Sequence, residues 1–563
     1  EPSVRQVRIS ESYDGVPVVG VFRLTWKSPG WFFTPRVLES VVIPDSVKII
    51  GGAVFKDCSS LKSINIPNDV TTIGNSAFEG CSSLKSIEIP NSVTTIGNSA
   101  FEGCRSLKSI KIPNSVTTIG DSAFKGCSNL NSVEMSNSVA IINDSTFVDC
   151  SSLKSIEIPN SVTKIDKSAF KECSNLSSVG MSSNVTTIGE SAFEGCNNLT
   201  NIELSNSVTT IDKSAFKECS NLNSVEMSNN VTTIGESAFE GCNNLTNIEL
   251  SNSVMKIGTK AFFNCDNLQF KEYENAKYLG SNDNEYYAFV EVVDKSKECY
   301  TIHESTQIIA GSAVDGCNLL MRLKIPNGVK AIGNSAFSGC SSLESIEIPS
   351  SIISIGYWAF KDCVSLTNIE IPSSVISIGY QAFMGCNNLE FKQYGNAKYL
   401  GNKDNEYFAL IERTNPNCSF YEINENTEII ADCAFSSCSS FSELRIPNSV
   451  KFIGGAFSDC FNLTNVRIGN GVIEIGDGAF AYCWKLVKLE IPNSVSKIGS
   501  SVVSWCRNLK VYYQGIESDW EKITIKDDNS TLLNADRYYY SETQPSDTQN
   551  KYWHFVEDEI VEW

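Results

Sequence analysis

The sequence predicts a solenoid of the α/β class, rich in β-structure, in which one coil is copied along most of the chain. Three observations carry this. Cysteines recur at a 23-residue period: Cys58, Cys81, Cys104, Cys127, Cys150, Cys173, Cys196, Cys219, Cys242 and Cys265. The same phase resumes at Cys317, Cys340, Cys363 and Cys386, then at Cys438, Cys460, Cys483 and Cys506, giving eighteen coils. Most coils, as in CSSLKSIEIPNSVTTIGNSAFEG from Cys81 to Gly103, carry an L-x-x-I-x-I strand pattern or an apolar variant of it. One position per coil is Gly in thirteen coils and Asn or Asp in three more.

Each part of the coil has a physical reading. Leu84, Ile87 and Ile89 alternate so as to point inward from a strand. Pro90 has no N–H to continue a ladder, so it ends that strand. A file of side-chain amides follows at Asn91, Asn114, Asn160 and their equivalents, suited to hydrogen-bonding turn backbone. Val93 and Ile96 begin a second extended segment. The Gly column at Gly74, Gly97 and Gly120 is expected to adopt φ > 0, which Asn143, Asp166 and Asp212 also tolerate. Ser-Ala-Phe then predicts a short helical or 3-10 turn, with Ala100 and Phe101 beneath the cysteines. Stacked coils lie about 4.8 Å apart with parallel Cβ vectors. That is poor disulfide geometry, so the cysteines are expected to be buried, reduced thiols.

Composition excludes several functions. The chain has 563 residues and a formal charge of −20, which disfavours nucleic acid and anionic membranes as partners. No apolar run of the length needed to insert in a bilayer occurs. The only histidines are His303 and His554, and there is no CxxC pair, P-loop or G-x-S-x-G elbow. No catalytic residue, metal site or cofactor is expected, and the chain reads as a non-enzymatic scaffold.

The cassette I-P-x-S-V-T-x-I-G-x-x-A-F-x-x-C-x-x-L-x-x-I resembles the BspA-like leucine-rich repeats over about residues 37–513. The resemblance implies a curved, right-handed horseshoe with a parallel sheet on its concave face. It also implies an extracellular or cell-surface location, since members include surface adhesins and host-matrix binders. The paired inserts and aromatic tail are similar to those of the gut clostridial type.

Residues 1–36 lack the repeat and read as an N-terminal cap, with Trp26, Trp31, Phe32 and Phe33 covering the solenoid end. Residues 514–563 read as an aromatic C-terminal cap carrying Trp520, Trp553 and Trp563. Two spacings of 52 residues place inserts near 269–300 and 390–420, each expected to be a β-hairpin with a polar turn, Ser281–Asn284 or Asn402–Asn405.

Ligand binding is sought in the outward column seven residues after each cysteine. It reads Glu88, Lys111, Glu134, Glu157, Gly180, Glu203, Glu226, Glu249, and later Lys324, Glu347, Glu370, Arg445, Arg467, Glu490. Thr200, Asn223 and Thr246 leave Glu203, Glu226 and Glu249 without the local compensation that Lys85 and Lys154 give Glu88 and Glu157. The expected partner is a host or bacterial surface protein with a basic segment; a solvated face copied by duplication is the plainer alternative. A glycan is the other candidate ligand, stacking on Tyr286, Tyr407 and neighbouring insert tyrosines (Tyr278, Tyr287, Tyr399) or held by the tail. A structural spacer is the third reading.

Overall fold

The structure, a computed structural model, describes residues 6–13, 16–21, 35–415, 421–526, 528–546, 550–557 and 559–563. The N-terminal aromatic cluster at Trp26, Trp31, Phe32 and Phe33 lies outside these residues. The chain forms two compact units, residues 1–271 with 278–287, and residues 272–277 with 288–563.

In the first unit the coils stack through two files of parallel strands. Ser109–Lys111 pairs with Ser132–Glu134 in register, so equivalent residues of neighbouring coils lie side by side. Thr95–Ile96 pairs with Thr118–Ile119 in the second file. The repeat's apolar residues fill the space between the files: Leu84, Ile87, Val93, Ile96, Ala100, Phe101 and Cys104 are all buried. The phenylalanines form a continuous stack from Phe55 to Phe262, with centroids 5.3–5.6 Å apart. The cysteines are free and buried, and from Cys81 to Cys265 each thiol donates to the phenylalanine carbonyl of the preceding coil, as Cys104 Sγ to Phe78 O at 3.3 Å. Burial pushes these thiols well above their ordinary range, Cys265 up to about 12.

Two expectations within the coil are corrected. The Ser-Ala-Phe segment is neither an α- nor a 3-10 helix, because its serine is left-handed: Ser76, Ser99 and Ser122 have φ of 56°, 53° and 57°. Alternate N–H groups there donate to the next coil, Phe101 N to Ala123 O at 2.8 Å and Gly103 N to Lys125 O at 2.7 Å. The segment is thus a third inter-coil ladder. The Gly column, in turn, is not the left-handed position, which falls instead at those serines and at Gly80, Gly103 and Gly126. Its glycines are demanded by close approach. A Cβ at Gly97 would lie 2.5 Å from Asn75 N and 2.7 Å from Gly74 C.

The second unit repeats the same two files. Arg322–Lys324 pairs parallel with Ser345–Glu347, and Ile308–Ile309 with Ala331–Ile332. Within it, the later insert is a three-stranded antiparallel meander rather than a simple hairpin: Lys392–Tyr394, Ala397–Leu400 and Ala409–Arg413. Its last strand then joins the parallel file at Ile429–Ile430. A tight turn at Gly395, with φ of 54°, creates the additional strand. In the first unit, the tip of the earlier insert carries Asn282 and Asp283 between its strands, as its polar pattern predicts.

The ladder also runs beyond both expected boundaries. Gln6–Arg8 pairs parallel with Ser40–Val42, and Gly20–Val21 with Ile49–Ile50. At the other end Lys510–Tyr513, Asp536–Tyr540 and Lys551–Val556 continue the parallel file, and antiparallel Glu559–Glu562 closes it. These end coils keep the backbone pairing while giving up the cassette side chains, so residues 37 and 513 mark the limits of the motif and not of the ladder. Trp520 and Trp553 are buried in this cap, and Trp553 Nε1 donates to Tyr513 O at 3.0 Å. Trp563 remains exposed, stacked on His554.

Candidate functional site

The outward column lies on the first strand file, and its glutamates at Glu88, Glu134, Glu157, Glu203, Glu226, Glu249, Glu347 and Glu370 are all exposed. They are not equivalent. Lys111 Nζ reaches Glu134 Oε1 at 2.6 Å across one coil. The Glu157 carboxylate leans into the space that Gly180 leaves, where a Cβ would lie 1.8 Å from Oε2. Glu203 and Glu226 face each other in register on adjacent strands, and the Asn282 amide of the insert tip donates to the Glu249 carboxylate. Among the described residues no cation pairs with Glu203 or Glu226.

That absence contrasts with several other files of the unit. Elsewhere lysines pair with glutamates one coil away: Lys167 with Glu190 at 3.0 Å, Lys171 with Glu194 at 3.0 Å, Lys213 with Glu236 at 3.0 Å. Duplication with a lysine in phase cancels charge between coils. At Glu203 and Glu226 no lysine is in phase, so the side-by-side carboxylates repel by about 1 kcal/mol even in bulk water.

In the second unit the column changes sign at Arg445 and Arg467, which lie in register. Both line a cavity of about 780 Å³ whose other walls include Tyr421, Glu443, Tyr540 and Phe555. Arg467 is half-buried: its guanidinium lies 4.6 Å from the Phe555 ring centroid, and Nε is 3.2 Å from Glu490 Oε2. Glu490, expected to face outward, is buried, because the C-terminal strands cover it and Gln514 Nε2 donates to its Oε1 at 2.6 Å. Glu347 and Glu370 border a smaller cavity of about 430 Å³ beside Asn402. Tyr540 and Phe555 escaped the sequence reading because only the fold brings the tail beside these coils.

The insert tyrosines are packing residues. Tyr278, Tyr287 and Tyr399 are buried, and Tyr287 OH donates to Val254 O at 2.9 Å. Tyr286 and Tyr407 are half-buried, edge-on to Tyr278 and Tyr399 at 5.5 and 5.6 Å. Their rings therefore belong to the inserts' own cores. His303 is held by Ser305 and Tyr273. Among the described residues there is no cluster of metal-ligating side chains and no helix long and apolar enough to cross a membrane.

A parallel solenoid with a repeated leucine strand and a variable outward column is a leucine-rich repeat scaffold. The chain belongs to the BspA-type leucine-rich repeat family, whose model matches residues 31–154, 140–269, 286–407 and 413–524. No curated protein matches it. Among solved structures it is similar to a leucine-rich repeat protein of Bacteroides ovatus, at 22% identity over 87% of each chain, with a TM-score of 0.33. It is also similar to a leucine-rich cell surface protein of Faecalibacterium prausnitzii, at 23% identity over 92% of this chain and 90% of that one, with a TM-score of 0.24. No residue role is carried over from either.

Proposed function

We propose that this protein is a non-enzymatic, extracellular or cell-surface interaction scaffold that binds a basic, extended segment of a surface protein along Glu203, Glu226 and Glu249. The observation that carries the reading is the in-register pair Glu203 and Glu226 without a cationic partner among the described residues, in a unit where several lysines pair with glutamates one coil away. Carboxylates about 4.8 Å apart lie closer than the roughly 6.6 Å between alternate residues of an extended peptide, a difference that long, flexible lysine side chains span. Binding relieves the repulsion between them as well as adding attraction.

The test is surface plasmon resonance of the full chain against an immobilised Lys-Ser-Lys-Ser-Lys-Ser peptide, at low and high salt. Glu203→Lys, Glu226→Lys and Glu249→Lys together should weaken binding at least about a hundredfold. Equal affinity of wild type and triple variant would remove this strip as the site.

A further inference from the structure

Two groups of exposed aromatic side chains on the coils differ in their surroundings, apart from Tyr357, which faces Asp432. Phe263 and Trp358 are covered by their own coil: Lys260 lies 5.4 Å from the Phe263 centroid and Lys361 5.9 Å from that of Trp358. The Trp358 indole N–H donates to Gln381 Oε1 at 3.1 Å. The second group lies on the last three cysteine coils, at the positions flanking Cys460, Cys483 and Cys506. There Phe461, Tyr482, Trp484 and Trp505 are 39%, 43%, 58% and 58% exposed. Among the described residues no lysine or arginine covers any of them.

These positions are small or polar in nearly all other coils. The residue before the cysteine is Asp57, Gly80, Gly103, Gly126, Asp149 or Glu172 in the early coils, always left-handed. Tyr482 and Trp505 keep that backbone, with φ of 59° and 68°. A bulky side chain there is an outlier. Strain of this kind without any gain in core packing points to function. The residue after the cysteine is mostly Ser or Asn, yet here it is Phe461 and then Trp484.

The four rings form one staggered patch. Tyr482 and Trp484 flank the buried Cys483, with Trp484 N donating to Tyr482 O at 3.0 Å. Along the coils, Phe461 and Trp484 have centroids 5.3 Å apart, and Tyr482 and Trp505 lie nearly parallel at 6.3 Å. The two remaining positions of the columns are Asp459 and Arg507, at opposite corners. None of the six is aliphatic, unlike the mixed apolar core of a protein interface, and their charges cancel.

We propose that this patch binds an extended, uncharged chain of β-linked hexopyranoses. The C–H faces of successive sugars stack on the rings, while the Asp459 carboxylate accepts from hydroxyls and the Arg507 guanidinium donates to them at the two ends. Aromatic faces bordered by one acceptor and one donor suit a ligand that is apolar on its faces and polar around its rim. The zero net charge disfavours polyanionic glycans. The proposal stands apart from the acidic ladder, which lies in the other unit.

Binding of cellohexaose and chitohexaose to the full chain is measured by calorimetry and indole fluorescence. Two double variants restore what other coils carry: Tyr482→Gly with Trp505→Gly, and Phe461→Ser with Trp484→Ser. Because small residues at these places are compatible with the coil, both should fold. Wild type should bind at least one hexasaccharide with a change in indole emission. Each double variant should bind it at least about tenfold more weakly, while Trp358→Ala keeps wild-type affinity. Absence of binding by wild type, or unchanged affinity in both double variants, would overturn the proposal. So would a patch whose loss alters only sedimentation, which would make it a contact between copies of this chain.

Discussion

The cysteine file makes the first unit labile to alkali. The nine thiols from Cys81 to Cys265 are buried, and desolvation raises each above its ordinary value of 9.0. A group with a raised folded-state pKa contributes stability that is complete below the unfolded pKa and declines as pH rises above it. Here the unfolded chain ionises around pH 9 while the folded thiols stay protonated up to about 12 and beyond. Each thiol then costs roughly half a kcal/mol at pH 9 and between about 1 and 2 kcal/mol at pH 10. Nine together remove about 4 and about 13 kcal/mol, the latter comparable to the whole stability of an ordinary domain. Urea unfolding followed by circular dichroism between pH 7.5 and 10.5, with a non-thiol reductant, reads this directly. The comparison is a variant with all nine cysteines changed to alanine. Its neutral-pH stability will be lower because of the cavities, so the pH slope is the quantity to compare. Wild type should lose stability far more steeply than the variant; parallel profiles would refute the reasoning.

Further substitutions separate packing from conformation and test the cap. Gly97→Ala should cost about 1–3 kcal/mol by forcing the coils apart, and more than Gly103→Ala, which meets nothing nearer than 3.7 Å and bears only the left-handed penalty of about 1 kcal/mol; the reverse order in thermal unfolding would restore the conformational reading of the Gly column. Arg467→Ala should destabilise the second unit by about 3 kcal/mol, because it removes a cation 3.2 Å from the buried Glu490 carboxylate, and Glu490→Gln in that background should recover part of the loss in urea titrations.

What was legible in the sequence follows from translational repetition. When a coil meets only its neighbours, a fixed phase fixes a fixed environment, so inward Leu84, Ile87, Phe101 and Cys104 could be placed from spacing alone. Reading conformation into the Gly column failed because residue type cannot tell a positive φ from a missing Cβ. At Gly97 the neighbouring backbone excludes a side chain, whereas the left-handed burden falls on Ser99, a residue type that carries no such signal. The acidic column was legible as a column, but the individual fate of its members was not. Lys111 neutralises Glu134, Gly180 makes room for Glu157, and Asn282 caps Glu249 through an insert distant in sequence.

The sequence by itself therefore determined the solenoid, its core files and its family, because those depend on residues one period apart. The tertiary structure decided which exposed positions can meet a ligand. Tyr540 and Phe555 join Arg445 and Arg467 around one cavity only because the tail continues the strand ladder. Phe461, Tyr482, Trp484 and Trp505 become a patch only because stacking sets residues 23 apart side by side. Burial and side-chain contact across coils are properties of the stack, and no single coil's sequence contains them.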